Sequence, residues 1–280
     1  MSSRRLQKQT WEAALTLIAI VVCIIYVFPT FWIFTKAING SKGLWAYPPQ
    51  LLPKAISFEN FQLAENNYQI VHKLLNSAFV CVFAILGATI SSSIVAYGFA
   101  RMRFRGKKIL FAVLLGTMMI PWDATVIPQF IMFTSIGWQN TYYPLIVPLC
   151  FGVPLYIFLL RQFIMGIPYE LDEAAIIDGC NRFSIFTRII APLLKPAIVT
   201  AVIMQFLTSW NEFLNPLIYL NKASAYTISL QLYFMKDPFK GMDWPSVMAG
   251  SIVAAVFPVL LFFFTQKLLI GGIAQSGIKG

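Results

Sequence analysis

Long apolar runs separated by short polar stretches make up most of this chain. Six runs reach the roughly 20 residues that a helix needs to cross a hydrocarbon core about 30 Å thick. They lie at about 12–35, 72–99, 109–133, 144–163, 197–219 and 245–270. Their interiors are nearly free of charge, with Asp123 and Glu212 as the exceptions. None of the runs alternates apolar and polar residues, so they read as helices and not as strands of a closed barrel. The expectation is an all-α, polytopic integral membrane protein with six transmembrane helices, forming a single domain over residues 1–280. The first run is too long for a cleavable signal core of about 7–15 residues, and no small-x-small site follows it. It reads as an uncleaved first helix.

Seven prolines fall inside the runs: Pro29, Pro121, Pro128, Pro148, Pro154, Pro216 and Pro258. Proline lacks an amide donor and kinks a helix. Membrane helices tolerate it where neighbours or water satisfy the freed groups. The third and fourth helices, with two prolines each, are expected to be kinked. Small residues four apart, as in Gly87 and Ser91, Ser92 and Ala96, and Gly250 and Ala254, would let helix backbones approach closely. Two longer polar segments, about 36–71 and 220–244, are expected outside the cell, with Trp45 and Tyr47 as interface anchors.

Composition supports this picture. The chain of 280 residues is 58% hydrophobic and 11% charged, against roughly 25% charged residues in soluble domains. The net charge of +10 sits mainly in the connections. With the N-terminus inside, 14 of the 21 basic residues fall on the inner side, including Arg101, Arg103, Arg105, Lys107 and Lys108. This bias places both termini in the cytoplasm. The basic cluster reads as attraction to acidic lipid headgroups, not to nucleic acid. Cys23, Cys81, Cys150 and Cys180 have no metal or redox spacing, and the single His72 has no partner in a ligand pattern. There is no Gly-Lys-Ser/Thr phosphate loop, nucleophile elbow or acidic metal cluster. ATP hydrolysis and covalent chemistry are therefore not expected of this chain.

The inner loop 164–196 carries helix start and stop signals that a floppy connector would not need. Pro168 sits at a helix start, and Glu170, Asp172 and Glu173 favour the first turns through the helix dipole. Leu171, Ala174 and Ala175 are expected to share one side. Gly179 fits a C-terminal cap. Asn181 can cap a second short helix bearing Phe183, Phe186 and Ile190 on one face. Pro192 and Pro196 then break the chain before the fifth span. Two short helices joined at an angle, presenting small residues outside the membrane, suit a part that receives force from a soluble motor.

These residues resemble a known family. Glu173-Ala174-Ala175, Gly179 six residues after the glutamate, Ile189 and Pro192 resemble the cytoplasmic EAA loop of ABC-importer permeases. Ala191 stands where the family usually has leucine. Ala96-Tyr97-Gly98-Phe99-Ala100-Arg101, Phe104-Arg105-Gly106, Met119-Ile120-Pro121, Trp210-Asn211-Glu212-Phe213 and the tail Ile278-Lys279-Gly280 are similar to the carbohydrate-uptake branch, within it to the smaller permease of the maltose-transporter type. The likeness covers nearly the whole chain.

That resemblance implies a type I ABC-importer permease fold. It implies that Glu173, Ala174, Ala175, Asp178, Gly179, Ile189 and Pro192 form a coupling loop docked on a cytoplasmic ATPase dimer. Glu173 would pair with a basic residue there, and Gly179 would permit the turn. ATP and Mg would bind to that ATPase, and this chain would hold no cofactor. ATPase closure would switch the pore between inward and outward access. The other implied partners are a second, different permease, an extracellular solute-binding protein reached by 220–244, and the lipid bilayer of a bacterial or archaeal inner membrane.

The implied solute is an oligosaccharide, with glycerol-phosphate or polyol compounds as the alternative. Trp210, Asn211, Glu212 and Asp123 are candidates for the substrate path. Trp210 offers a stacking face. The two acids stand out because ionisable groups are costly within a membrane, and a path-lining role and a gating or structural hydrogen-bond role are equally open for them. A secondary transporter would want inverted repeats and paired intramembrane acids. A membrane-embedded enzyme would want a polar cluster at one membrane face. Neither pattern is visible.

Overall fold

In the computed structural model, residues 2–40, 47–48, 50–236 and 242–276 are described, the side chains of 2–10 and 267–276 excepted. Trp45, the stretch 237–241 and the tail 277–280 lie outside the described residues. Among the described residues the named elements are all helical, and the one bridge outside them pairs Asn39 with Ile56.

The elements follow the apolar runs, with breaks. Helix α1 spans Ser2–Ala37 and α2 spans Glu59–Tyr68, inside a segment that reads from sequence as a polar outer loop. Helix α3 spans Ile70–Arg101 without interruption. The third run, expected as one kinked helix, is two: α4 (Lys107–Thr117) and α5 (Trp122–Ser135), bent by 95°. Pro121 is the cause. It lacks an amide hydrogen, holds an extended backbone at ψ 143, and disfavours helical geometry in the residue before it.

The fourth run is interrupted too. Helix α6 (Tyr143–Ile146) passes into a 3-10 stretch, Val147–Phe151, before α7 (Pro154–Met165) starts at a proline in its first turn. The inner loop forms α8 (Glu170–Ile177), α9 (Arg182–Ile185), a π-helical stretch at Phe186–Ile190 and α10 (Ala191–Leu193). The fifth run is α11 (Lys195–Asn211) and α12 (Leu214–Tyr219), separated at Glu212. Helix α13 (Ile228–Phe234) precedes α14 (Trp244–Ser276), in which Pro258 is accommodated without a break. Among the described residues, four helical stretches are long and apolar enough to cross a membrane, and the two bent pairs bring the number to as many as six.

Breaking a helix frees backbone groups, which must find partners in an apolar setting. Helix α3 supplies them for the fourth run. The Val153 amide donates to Ser92 Oγ at 2.9 Å, and Ser91 Oγ donates to the Leu149 carbonyl at 3.3 Å. Gly87 makes this approach possible, because a Cβ there would come 2.5 Å from Cys150 Sγ. The small residues read from sequence as a packing face thus seat one interrupted helix.

The chain divides into two compact units, residues 1–70 with 232–256, and residues 71–231 with 257–280. In the first, buried Asn60 closes the end of α1, its Nδ2 lying 3.2, 3.1 and 2.8 Å from the carbonyls of Lys36, Ala37 and Asn39. Lys36 is also buried, with Nζ donating to the Gln50 carbonyl at 3.0 Å and lying 4.5 Å from the Trp32 ring centroid. In the second unit, Tyr97, Leu160, Ile164, Ile185, Ile190 and Leu194 share one apolar cluster. It joins α3 and α7 to the inner loop.

Candidate functional site

Helix α8 is fixed at both ends by local chemistry. Three acids occupy its first turn, where the helix dipole favours them. At its far end Gly179 has φ +80, a left-handed conformation that glycine adopts without steric cost. The Gly179 amide donates to the Ile176 carbonyl at 3.0 Å and the Cys180 amide to the Ala175 carbonyl at 2.9 Å, a Schellman closure. Two residues on, Asn181 Oδ1 accepts from the Ser184 amide at 2.8 Å and starts α9.

The faces of α8 differ from the sequence expectation. Leu171, Ala174 and Ala175 do not share one side. Ala175 is buried and turns inward with Asp172, three residues earlier, while Leu171 and Ala174 are exposed. The reason is a charge. Asp172 is 0% exposed and sits 3.1 Å from Arg101 Nε at the end of α3. The two groups are at ion-pair distance without hydrogen-bond alignment, so they hold by charge. Arg101 also donates from Nη2 to the Ile167 carbonyl at 2.7 Å and lies 5.4 Å from the Tyr169 ring centroid. One arginine thus ties α3 to both the entry and the first turn of α8.

With Asp172 and Ala175 inward, the outer face of α8 presents Leu171, Glu173, Ala174, Ile177 and Asp178. Ile177 is 86% exposed, an apolar side chain with no cover in this chain. Glu173 lines a polar cleft of about 510 Å³ with Arg101, Arg103 and Arg182. In the second short helix Ile185 and Ile190 are buried, and Phe186 packs against Tyr97 with tilted rings, 5.2 Å between centroids. Phe183, expected on that same inner face, is instead 72% exposed. Ile189 is half-buried against the apolar cluster, and Pro192 is exposed in the first turn of α10.

The four substrate-path candidates are not brought together. Trp210 is only 4% exposed, stacked on Phe206 at 5.4 Å and on Phe257 at 5.1 Å. It packs inside the protein and presents no open stacking face. Asn211 is exposed and donates to the Leu207 carbonyl of its own helix at 2.8 Å. Asp123 is exposed in the first turn of α5. Glu212 alone lines a cavity, of about 390 Å³, together with Trp122, Gln129, Tyr156, Gln205, Ser209 and Asn215. Its Oε1 accepts from the Leu214 and Asn215 amides at 3.0 and 3.2 Å, serving the start of α12 after the break. Asp172 as a buried partner of Arg101, and the Gln and Ser residues of the cavity, escape a reading by residue type. The one signal present is the three-residue spacing of Asp172 and Ala175.

A family model described as binding-protein-dependent transport system inner membrane component matches residues 88–274, most of the second unit and the inner loop included. The chain belongs to this family. It is the membrane-embedded permease of an ATP-driven, binding-protein-dependent ABC importer, and ATP hydrolysis lies on a separate subunit. The arabinooligosaccharides transport system permease protein AraQ of Bacillus subtilis (strain 168) is 33% identical over 98% of this chain and 98% of that protein. The diacetylchitobiose uptake system permease protein DasC of Streptomyces coelicolor is 30% identical over 94% of this chain and 95% of that one. A crystal structure of a bacterial ABC transporter that imports the acidic polysaccharide alginate has a chain that superposes with a TM-score of 0.79, at 22% identity, covering 93% of this chain and 97% of that chain. The permease is thus a multi-pass helical membrane protein of this fold.

Proposed function

We propose that this permease serves the uptake of an oligosaccharide and that α8 is where ATPase movement enters it. The observation that carries the coupling role is the split of α8 into two faces. Asp172 and Ala175 hold it to α3 and the apolar cluster, while Ala174 and Ile177 stand outward without cover in this chain and Glu173 lies exposed at the cleft it shares with Arg101, Arg103 and Arg182. A helix fixed on one side and open on the other passes displacement to the spans it is bound to. The partner on the open side is a cytoplasmic ATPase dimer holding ATP and Mg, with Glu173 facing a basic residue on it.

A second permease and an extracellular binding protein complete the importer, and both termini lie in the cytoplasm. The carbohydrate assignment is supported by the relatives named for arabinooligosaccharides and diacetylchitobiose. The test is uptake by proteoliposomes containing the whole importer, supplied with loaded binding protein. Glu173→Ala is expected to lower uptake by more than about tenfold, as for loss of a paired interfacial charge, while the two permeases still assemble. Unchanged uptake would sink the coupling role. A wild-type importer that moves no oligosaccharide would sink the carbohydrate reading.

A further inference from the structure

Residues 221–224, the turn that follows α12, are all exposed, yet side chains from far along the chain hold their backbone. Asn140 Oδ1 accepts from the Asn221 and Lys222 amides at 2.6 and 3.1 Å. Buried Asn76 donates from Nδ2 to the Ser224 and Tyr226 carbonyls at 2.8 and 3.0 Å. Buried Ser77 Oγ accepts from the Ile228 amide at 2.8 Å. In a simple connector, water would satisfy such exposed backbone groups. Clamping them fixes the shape of the turn before a partner arrives, which lowers the ordering cost of binding.

Asn76 and Ser77 belong to α3. Arg101, which holds Asp172 of α8, ends the same helix, 25 residues after Asn76. That is about 38 Å of helix, more than the roughly 30 Å of a hydrocarbon core. The turn and α8 are thus fixed to opposite ends of one span. A second route between them, through α10, α11 and α12, is interrupted, because Glu212 is extended at ψ 127 between α11 and α12. Such a break can take up displacement by rotating about its own φ and ψ. Helix α3 has no break.

We propose that α3 is the stiff connection through which a binding protein seated on the turn 221–224 acts on α8, with Asn76 and Ser77 as positioning residues at one end and Arg101 at the other. The partner follows from the side, since the family is binding-protein-dependent and the turn lies at the end of α3 away from α8. The inference rests on the docking of α8 to the ATPase proposed above and goes beyond it by naming the path across the membrane.

The assay uses the whole importer in proteoliposomes. It reads the ATPase rate as a ratio, with and without the binding protein that supports uptake, so that any loss of folded complex cancels. Asn76→Ala is expected to lower the ratio at saturating binding protein about fivefold. Arg101→Lys keeps the charge but loses the fork that spans Asp172 and the Ile167 carbonyl, and a comparable drop is expected. Because both lie in one path, the double variant is expected to fall no further than the lower single. Asn140→Gly frees the turn from its other anchor and suits φ 58 there. It is expected to raise the half-saturating concentration of binding protein about fivefold and to keep the saturating ratio.

A ratio unchanged in Asn76→Ala would overturn the connection. So would a double variant that shows the product of the two single effects, the mark of independent routes. A saturating ratio that drops as far in Asn140→Gly as in Asn76→Ala would also overturn it, since the shape of the turn would then matter and its tie to α3 would not. A wild-type importer whose ATPase responds to no binding protein refutes the proposed partners instead, which keeps the two failures apart.

Discussion

Asp172 and Arg101 are worth more together than either is alone. Removing one member of a buried ion pair leaves the other charged and desolvated, at a cost of about 3–5 kcal/mol. Asp172→Ala is therefore expected to lower the thermal midpoint of the assembled complex sharply, measured by denaturation of purified protein. Asp172→Arg combined with Arg101→Asp should recover part of that loss. Equal stability of Asp172→Ala and wild type would show that the pair contributes nothing. At this scale the sequence was legible wherever the physics is local. Gly179 and Asn181 act on amides within a few residues of themselves, so their capping roles follow from type and position. Asp172 reads as one more first-turn acid until Arg101, 71 positions earlier in the chain, is placed beside it. Trp210 shows the reverse case, since an aromatic beside two polar residues suggested a contact surface and the fold covers it with Phe206 and Phe257.

Among the elements, prolines marked where helices would be disturbed and left open how far. Pro258 passes without a break in α14, whereas the chain turns by 95° at Pro121. Freed backbone groups need partners, and pattern along one segment does not report what neighbours offer them. The break before α7 rests on such an offer. Ser92→Ala removes the acceptor of the Val153 amide at a fully buried position. An unsatisfied buried donor costs about 1–3 kcal/mol. The variant is expected to unfold at lower temperature and to expose α7 to faster amide exchange, both readable on purified complex. Protection of α7 equal to wild type would mean that water replaces the hydroxyl. The short α2 and α13 were invisible because α2 is mostly polar, α13 is only seven residues long, and both are tied to distant segments, α2 through Asn60 and α13 through the Ile228 amide on Ser77 Oγ.

For the molecule as a whole, orientation in the bilayer is set by where the basic residues lie, and it is open to direct test. A cysteine placed at Phe183, which is 72% exposed, should react with an impermeant maleimide in inside-out vesicles and not in right-side-out vesicles. The opposite pattern would reverse the topology and remove α8 from the ATPase side. Taken alone, the sequence determined the apolar runs, the two capped helices of the inner loop and the family, because hydropathy, capping and motif spacing act over one element or less. Only the tertiary structure decided which face of α8 is held and which is offered, that Glu212 lines a polar cavity while Trp210 is packed away, and that a helix break is seated on Ser92. Those outcomes depend on side chains far apart in the chain, and their energies exist only once folding has brought them together.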